Sequence, residues 1–400
     1  MNIIYIVENF HPKLGYSSYY IPKKLEYQGH NVYVITSDKL FPGSYYSKTI
    51  YPKNEIRRGF FIEEGIPTYR LFSLYYNNKL ISLGNIKAFF NKVNPDIIHS
   101  NDLFYSTTFL AMHYKNNFNY KIFVDSITGT FEPHGFNNLL FGIFKNFMSP
   151  YLKKNVDHFF AINKGTKEWL ANNFKISKNL IDIIPLAADQ HLFYPSTTIK
   201  RNFRKNLFLN MNSLIIIYTG KIIPSKDIHI LISSFKILID NNKNIDIKLL
   251  LIGNGPSDYI TYIKKLIQIY NLNKKIIMID FVERTELYKY YNVADIGVWP
   301  GSPSISIIEA MSTELPIIIC KYPERREDAY DTSHLLEYEN GLSFYRGDHV
   351  ALAACVEKLV SNPTLRKEMG RNSRKLVEDK LNWDCVVAKY LEFYRKFVDK

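Results

Sequence analysis

The chain has 400 residues, 46% apolar and 22% charged, which is ordinary globular composition and enough length for two cores. Cys320, Cys355 and Cys385 lie far apart with no metal-ligand or redox spacing, which excludes a disulfide scaffold and fits a reducing cytoplasm. The formal charge of +13 accompanies a sequence rich in Ile, Asn, Lys, Tyr and Phe, as AT-rich coding produces. Lysines spread over solvated faces therefore account for the charge as readily as attraction to anionic lipid or substrate, and no aromatic–basic motif points to nucleic acid.

In chain order, residues 3–7 read as a first strand, too short for the apolar region of a signal peptide. The loop that follows carries Gly15, which lets backbone approach a ligand, and a helix is expected over residues 17–28, closed by Gly29. Residues 32–36, 97–99, 121–124 and 159–162 are short apolar runs of the kind found in parallel strands buried on both faces. Their alternation with helices implies a doubly wound sheet. His99, Asp102, Asp125 and His134 lie near strand ends, where a histidine is more often structural than a base. Residues 138–150, followed by Lys153 and Lys154, form an aromatic amphipathic stretch that suits a helix packed on the sheet or a surface facing lipid.

The pattern breaks near Pro185, and the polar residues 194–206 read as an interdomain connection. Alternation then restarts, with strands expected at 214–219, 247–252, 276–280, 295–299 and 316–320. Helices are expected at 228–240, 258–270, 285–291 and 304–311, and two more after Pro363 and near Trp383. No stretch reaches about 18 uninterrupted apolar residues, so no transmembrane helix is predicted.

Three loops of the second half carry the chemistry. Gly220 and Lys221 leave one strand, with Lys226 five positions on, and two cations there suit a diphosphate and its charge in a transition state. Gly253, Asn254 and Gly255 end the next strand. Ser304, Ser306 and Ile307 open the helix expected at 304–311, where unpaired amides and hydroxyls suit a phosphate, and the Glu309 carboxylate beyond them suits two ribose hydroxyls. The combination predicts a nucleoside-diphosphate site. No Cys/His cluster or Asp-x-Asp pair is present, so no bound metal is expected.

These residues, in this order, resemble the retaining GT-B glycosyltransferases of family four (glycosyl transferases group 1) along nearly the whole chain. The matching segments are Gly29-His-Asn-Val32, Pro95-Asp-Ile-Ile-His99, Ile184-Pro-Leu-Ala-Ala-Asp189 with Phe193 and Pro195, Gly220-Lys221 with Lys226, Gly253 to Pro256, Ala294-Asp295, Glu309-Ala-Met311 and Leu381-Asn-Trp383. The resemblance implies two Rossmann-like α/β domains facing across a cleft: residues 1–194 for the acceptor, 195–380 for the donor, and 381–400 as a helix returning to the first domain. It implies transfer of sugar from a nucleoside-diphosphate sugar to a glycan or lipid-linked acceptor, without metal or other cofactor. The basic charge and the aromatic stretch over residues 138–150 fit a lipid-linked acceptor and predict peripheral association with the inner face of an anionic membrane. Lys221 and Lys226 would hold the diphosphate, Glu309 the ribose, backbone at Ser306 and Ile307 the phosphates, and Gly15 would approach the donor from the other domain.

The family commonly has two glutamates eight positions apart, and here the first falls on Gly301. It also commonly has a histidine after the fourth strand, where this chain leaves Asp125 and, further on, His134 as catalytic candidates. These departures motivate a second reading, a non-catalytic GT-B-like protein that binds a nucleotide or a partner.

Overall fold

The computed structural model describes residues 1–39, 57–76, 79–126, 136–322 and 330–398. Contacts divide the chain into two units, Met1–Pro185 with Trp383–Lys400, and Leu186–Asn382.

The apolar runs of the first half become β1 (Asn2–Ile6), β2 (Asn31–Ser37), β3 (Gly59–Glu63), β4 (Ile66–Tyr76), β5 (Lys79–Leu83), β6 (Ile97–Ser100), β7 (Lys121–Ser126), β8 (His158–Ala161) and β9 (Ile181–Ile183). They form one sheet in the order β3-β4-β2-β1-β6-β7-β8-β9, with β5 beside β4. Pairing from β4 through β2 to β9 is parallel, and β3 and β5 join β4 antiparallel. Strand order reverses between β1 and β6, which pair Ile3 with Ile97 and Tyr5 with His99. Ile4, Ile35, Ile98, Val124 and Phe159 form the core with Phe90 and Leu170 from the covering helices. The segment β3–β5, unannounced by the sequence reading, leaves Phe60, Ile62 and Leu74 exposed, so it lacks the fully apolar signature of the central strands.

The last helix, Trp383–Val398, belongs to this first unit. Trp383 stacks on Tyr20 of the helix Ser17–Tyr27 at 5.4 Å, and Asp384 pairs with Lys24 at 2.8 Å.

The second unit contains β10 (Leu214–Thr219), β11 (Ile247–Ile252), β12 (Ile276–Ile279), β13 (Ile296–Trp299), β14 (Ile317–Lys321) and β15 (Gly341–Tyr345). All pairs are parallel in the order β12-β11-β10-β13-β14-β15, so the sheet reverses between β10 and β13. That is the doubly wound topology whose ligands bind at the carboxyl ends of strands flanking the reversal.

The expected connection over 194–206 is corrected. Thr197–Asn206 is an α-helix, capped by Ser196, whose hydroxyl accepts from the Ile199 amide at 3.3 Å. Its buried side chain is Arg204, which donates to the carbonyls of Val293, Met211 and Ser213 and pairs with Asp295 at 2.8 Å. A short apolar stripe also attaches it, with Phe203 and Leu207 packed on the core and Phe203 edge-on to Tyr290 at 4.9 Å, so the polar sequence folds here through the guanidinium and this stripe together. The second unit also begins earlier than expected. The carbonyl of Phe193 accepts from Ser312 Oγ at 2.6 Å and from Arg374 at 2.9 Å, which fixes the exit segment to the second core.

Candidate functional site

At the carboxyl ends of β10, β11 and β13, three loops meet backbone to backbone. The loop after β10 is pinned at Gly220, whose amide donates to the Ile252 carbonyl at 3.0 Å, and at Ile222, whose amide donates to the Asn254 carbonyl at 2.9 Å. A Cβ at Gly253 would lie 1.8 Å from the Gly220 oxygen, and one at Gly255 the same distance from the Ile222 oxygen. These glycines therefore serve the packing of one loop on another. The Asn254 side chain bonds Asp280 and accepts from the Gly255 amide at 2.7 Å, so it shapes the turn. On the other side, Ser302 donates its amide to the Ser225 carbonyl at 3.0 Å, and a Cβ at Gly301 would lie 2.5 Å from that carbonyl oxygen and from the carbonyl carbon of Lys226. Cys320 reinforces this contact by donating its thiol to the Gly301 carbonyl at 3.1 Å, and burial pushes that thiol up to about 12.

The lysine loop ends in a short turn, Pro224–Lys226, followed by Asp227 in the left-handed region at φ 52°, paired with Arg346. Lys226 turns inward. Its ammonium donates to the carbonyls of Ser302 at 2.7 Å and Pro303 at 3.0 Å, with no described carboxylate within ion-pair distance. Burial lowers its pKa to about 8, and the neighbouring Lys221 adds to the shift. Lys221 is exposed, its carbonyl held by the Tyr218 hydroxyl at 2.7 Å. A half-buried cation whose hydrogen-bond partners are two neutral oxygens attracts an anion.

Glu309 lies in the helix Ser306–Ser312, 3% exposed. One carboxylate oxygen pairs with Arg284 at 2.8 Å, and the other accepts from the Tyr291 hydroxyl at 3.1 Å. Burial, then Glu309, raises the Tyr291 phenol well above its ordinary range, so it remains protonated and able to donate. Tyr291 also reaches the Thr219 hydroxyl at 2.8 Å, which links Glu309 to the end of β10. Each carboxylate oxygen can accept more than one hydrogen bond, so two ribose hydroxyls remain compatible with these partners. Arg284, missed in the sequence, is the counter-ion that a carboxylate within Ile307-Ile308-Glu309-Ala310-Met311 demands.

Two expectations at this helix are corrected. It begins at Ser306, leaving Ser304 in the preceding loop, where its hydroxyl meets that of Ser306 at 2.7 Å. The Ser306 hydroxyl also donates to the Thr219 carbonyl at 3.0 Å, and the Ile307 amide is already engaged by the Ser304 carbonyl at 3.1 Å. Open amides at this helix start are thus scarcer than the sequence suggests.

The remaining candidates lie in the first unit. Gly15, at φ 60° and ψ 39°, closes the turn Pro12–Leu14. Asp125 is 3% exposed and lies beneath the last helix. One of its oxygens accepts from the Tyr390 hydroxyl at 3.0 Å and lies 3.1 Å from the His99 imidazole, whose other nitrogen meets Tyr394. That carboxylate fastens the helix to β6 and β7. Asp102 caps a turn by accepting the Phe104 amide at 2.9 Å. His134 lies outside the described residues. Among the described residues, no group of three or more His, Cys, Asp or Glu side chains is arranged to hold a metal.

Comparison with known proteins bears on the family and the fold. The family described as "Glycosyltransferase Family 4" matches residues 17–192, and "Glycosyl transferases group 1" matches residues 199–376. The chain is 26% identical over 251 residues to the capsular polysaccharide biosynthesis glycosyltransferase CapM of Staphylococcus aureus. That alignment spans 60% of this chain and 61% of CapM. A glycosyltransferase from Rickettsia africae superposes with a TM-score of 0.76 at 17% identity, over 100% of this chain and 98% of that one. Anabaena HepE in complex with UDP gives 0.75 at 14% identity, over 99% and 100% of the two chains. With two Rossmann-like units, each matched by its own half of the family pattern, the chain belongs to the GT-B glycosyltransferases of the family-four type.

Proposed function

We propose that this protein transfers a sugar from a nucleoside-diphosphate sugar to a glycan or lipid-linked acceptor, with retention of anomeric configuration and without a metal, in the synthesis of a cell-surface polysaccharide or glycolipid. The observation that carries the reading is Lys226, a half-buried cation held between the loops after β10 and β13 and partnered by neutral carbonyls. Capsule synthesis by CapM and the UDP bound to HepE support the class of product and of donor. As the bond from the sugar to phosphate breaks, charge accumulates on the departing diphosphate. Lys226 and Lys221 stabilise that charge in a site already organised to receive it.

The acceptor side of the proposal includes the membrane. The helix Phe136–Asn155 exposes Ile143 at 57% and Phe147 at 79% and ends in Lys153 and Lys154, an apolar strip with cations suited to an anionic lipid surface at the cytoplasmic face. No helix among the described residues is long and apolar enough to cross a membrane.

The test is release of nucleoside diphosphate from a panel of UDP- and GDP-sugars, with and without lipid-phosphate glycans. Release accelerated by an acceptor, giving product of the donor's anomeric configuration, is the expected result. Gly301 in place of a carboxylate, together with the burial of Asp125, favours the non-catalytic alternative. Tight nucleotide binding with no release from any donor would select it.

A further inference from the structure

The Arg284–Glu309 pair is costly to build. Side-chain exposures of 9% and 3% mean that both charges have lost most of their hydration, a penalty that mutual attraction seldom repays in full. The second unit does not need the pair to close its core, because the helix Ser306–Ser312 already buries Ile307, Ile308, Ala310 and Met311. The guanidinium is also held from behind, 5.5 Å over the Phe193 ring, and that ring packs edge-on to Tyr291 at 5.8 Å. Phe193 is in turn fixed through its carbonyl by Ser312 and Arg374. The arginine, on the first turn of the helix Arg284–Val293, thus lies in ion-pair contact with one carboxylate oxygen, while the Tyr291 hydroxyl bonds the other.

We infer that Arg284 is a positioning residue that sets the orientation of the Glu309 carboxylate, and through it the discrimination of a ribose from a 2′-deoxyribose nucleotide. The inference rests on the proposed reading of Glu309 as the ribose acceptor and names what makes that acceptor selective. A carboxylate fixed by a guanidinium on one oxygen and a phenol on the other presents its remaining lone pairs in a fixed direction. A sugar lacking one hydroxyl leaves part of that acceptor unpaired, which is where strong discrimination arises. Without the guanidinium, the carboxylate can rotate toward Tyr291 or toward water, and a missing hydroxyl matters less.

The experiment is calorimetric titration of the full chain with UDP and 2′-deoxy-UDP, and with GDP and 2′-deoxy-GDP, using the unsubstituted protein, Arg284→Gln, Arg284→Lys, Glu309→Gln and the Arg284→Gln/Glu309→Gln double variant. The unsubstituted protein is expected to prefer the ribonucleotide at least tenfold. Arg284→Gln lowers that ratio several-fold while retaining binding of the deoxynucleotide, and Arg284→Lys restores part of it. In the Glu309→Gln background, Arg284→Gln changes the ratio no further. If Arg284→Gln does not fold, the lysine variant carries the test, its ratio lying between one and that of the unsubstituted protein. Equal losses for both sugars, or an unchanged ratio, overturn the inference and leave the proposed function standing. Failure of the unsubstituted protein to bind any nucleotide removes the proposed function, and this inference with it.

Discussion

Lys226 donates its ammonium to the carbonyl of Ser302 at 2.7 Å, and the same Ser302 returns its amide to the carbonyl of Ser225 at 3.0 Å. This reciprocal contact closes the loop after β13 onto the loop after β10. It holds a cation at the carboxyl ends of two strands that flank the reversal of the sheet.

The lowered pKa of Lys226 gives diphosphate binding a pH dependence of defined sign. In the free protein the ammonium loses its proton near pH 8, whereas a bound diphosphate favours the charged form. Binding above that pH therefore requires proton uptake. Above pH 7, where the terminal phosphate of UDP or GDP is already ionised, affinity is expected to fall with rising pH through 8, approaching roughly tenfold per pH unit if the neutral amine does not bind. Lys226→Arg should flatten the profile. Calorimetry between pH 6 and 9.5 measures both.

Gly301→Ala tests the packing of the loops. The added methyl would meet the Ser225 oxygen and the Lys226 carbonyl carbon at 2.5 Å, so backbone must move. A loss of stability of about 1–3 kcal/mol is expected, together with a loss of nucleotide affinity of tenfold or more. Gly142→Ala is the control, since nothing lies within 4 Å of its Cβ and it sits within a helix, where alanine is favourable by up to about 1 kcal/mol. Denaturant unfolding and UDP titration of the two variants should move in opposite directions for stability and differ for binding.

Tyr390→Phe removes the hydroxyl that bonds Asp125. A buried carboxylate oxygen then loses a donor, at a cost of about 1–3 kcal/mol. If Asp125 fastens the last helix, Asp125→Asn should lower the unfolding midpoint while the folded fraction turns over donor at an unchanged rate. Unchanged stability with abolished turnover would restore Asp125 to the chemistry.

Phe147→Ser shortens the exposed apolar strip beside Lys153 and Lys154. Co-sedimentation with vesicles containing anionic lipid is expected to fall several-fold, and binding of soluble nucleotide to stay unchanged. Co-sedimentation that does not depend on anionic lipid would remove the membrane from the proposal.

The sequence showed most clearly those elements that bury themselves with apolar side chains. Leu214–Thr219 and Ile247–Ile252 have the bounds expected from their mainly isoleucine and leucine runs, because strands covered on both faces have no reason to alternate. The helix Thr197–Asn206 was masked by its basic and threonine-rich composition, because its one fully buried side chain is Arg204, whose partners Val293 and Asp295 are 89 and 91 positions away. At the site, Lys221, Lys226 and Glu309 were visible from spacing along single loops. Arg284 was hidden because the pairing depends on two helices meeting in space. The clue available was Glu309 itself, a charge within an apolar run, which demanded a partner without naming it.

The most direct measurement is calorimetric titration of UDP and GDP into the unsubstituted protein and into Lys226→Ala. The account predicts that at least one of the two nucleotides binds the unsubstituted protein, and that Lys226→Ala weakens that binding by an order of magnitude or more while its unfolding midpoint is maintained or rises. Binding of neither nucleotide, or equal binding by both proteins, would contradict it.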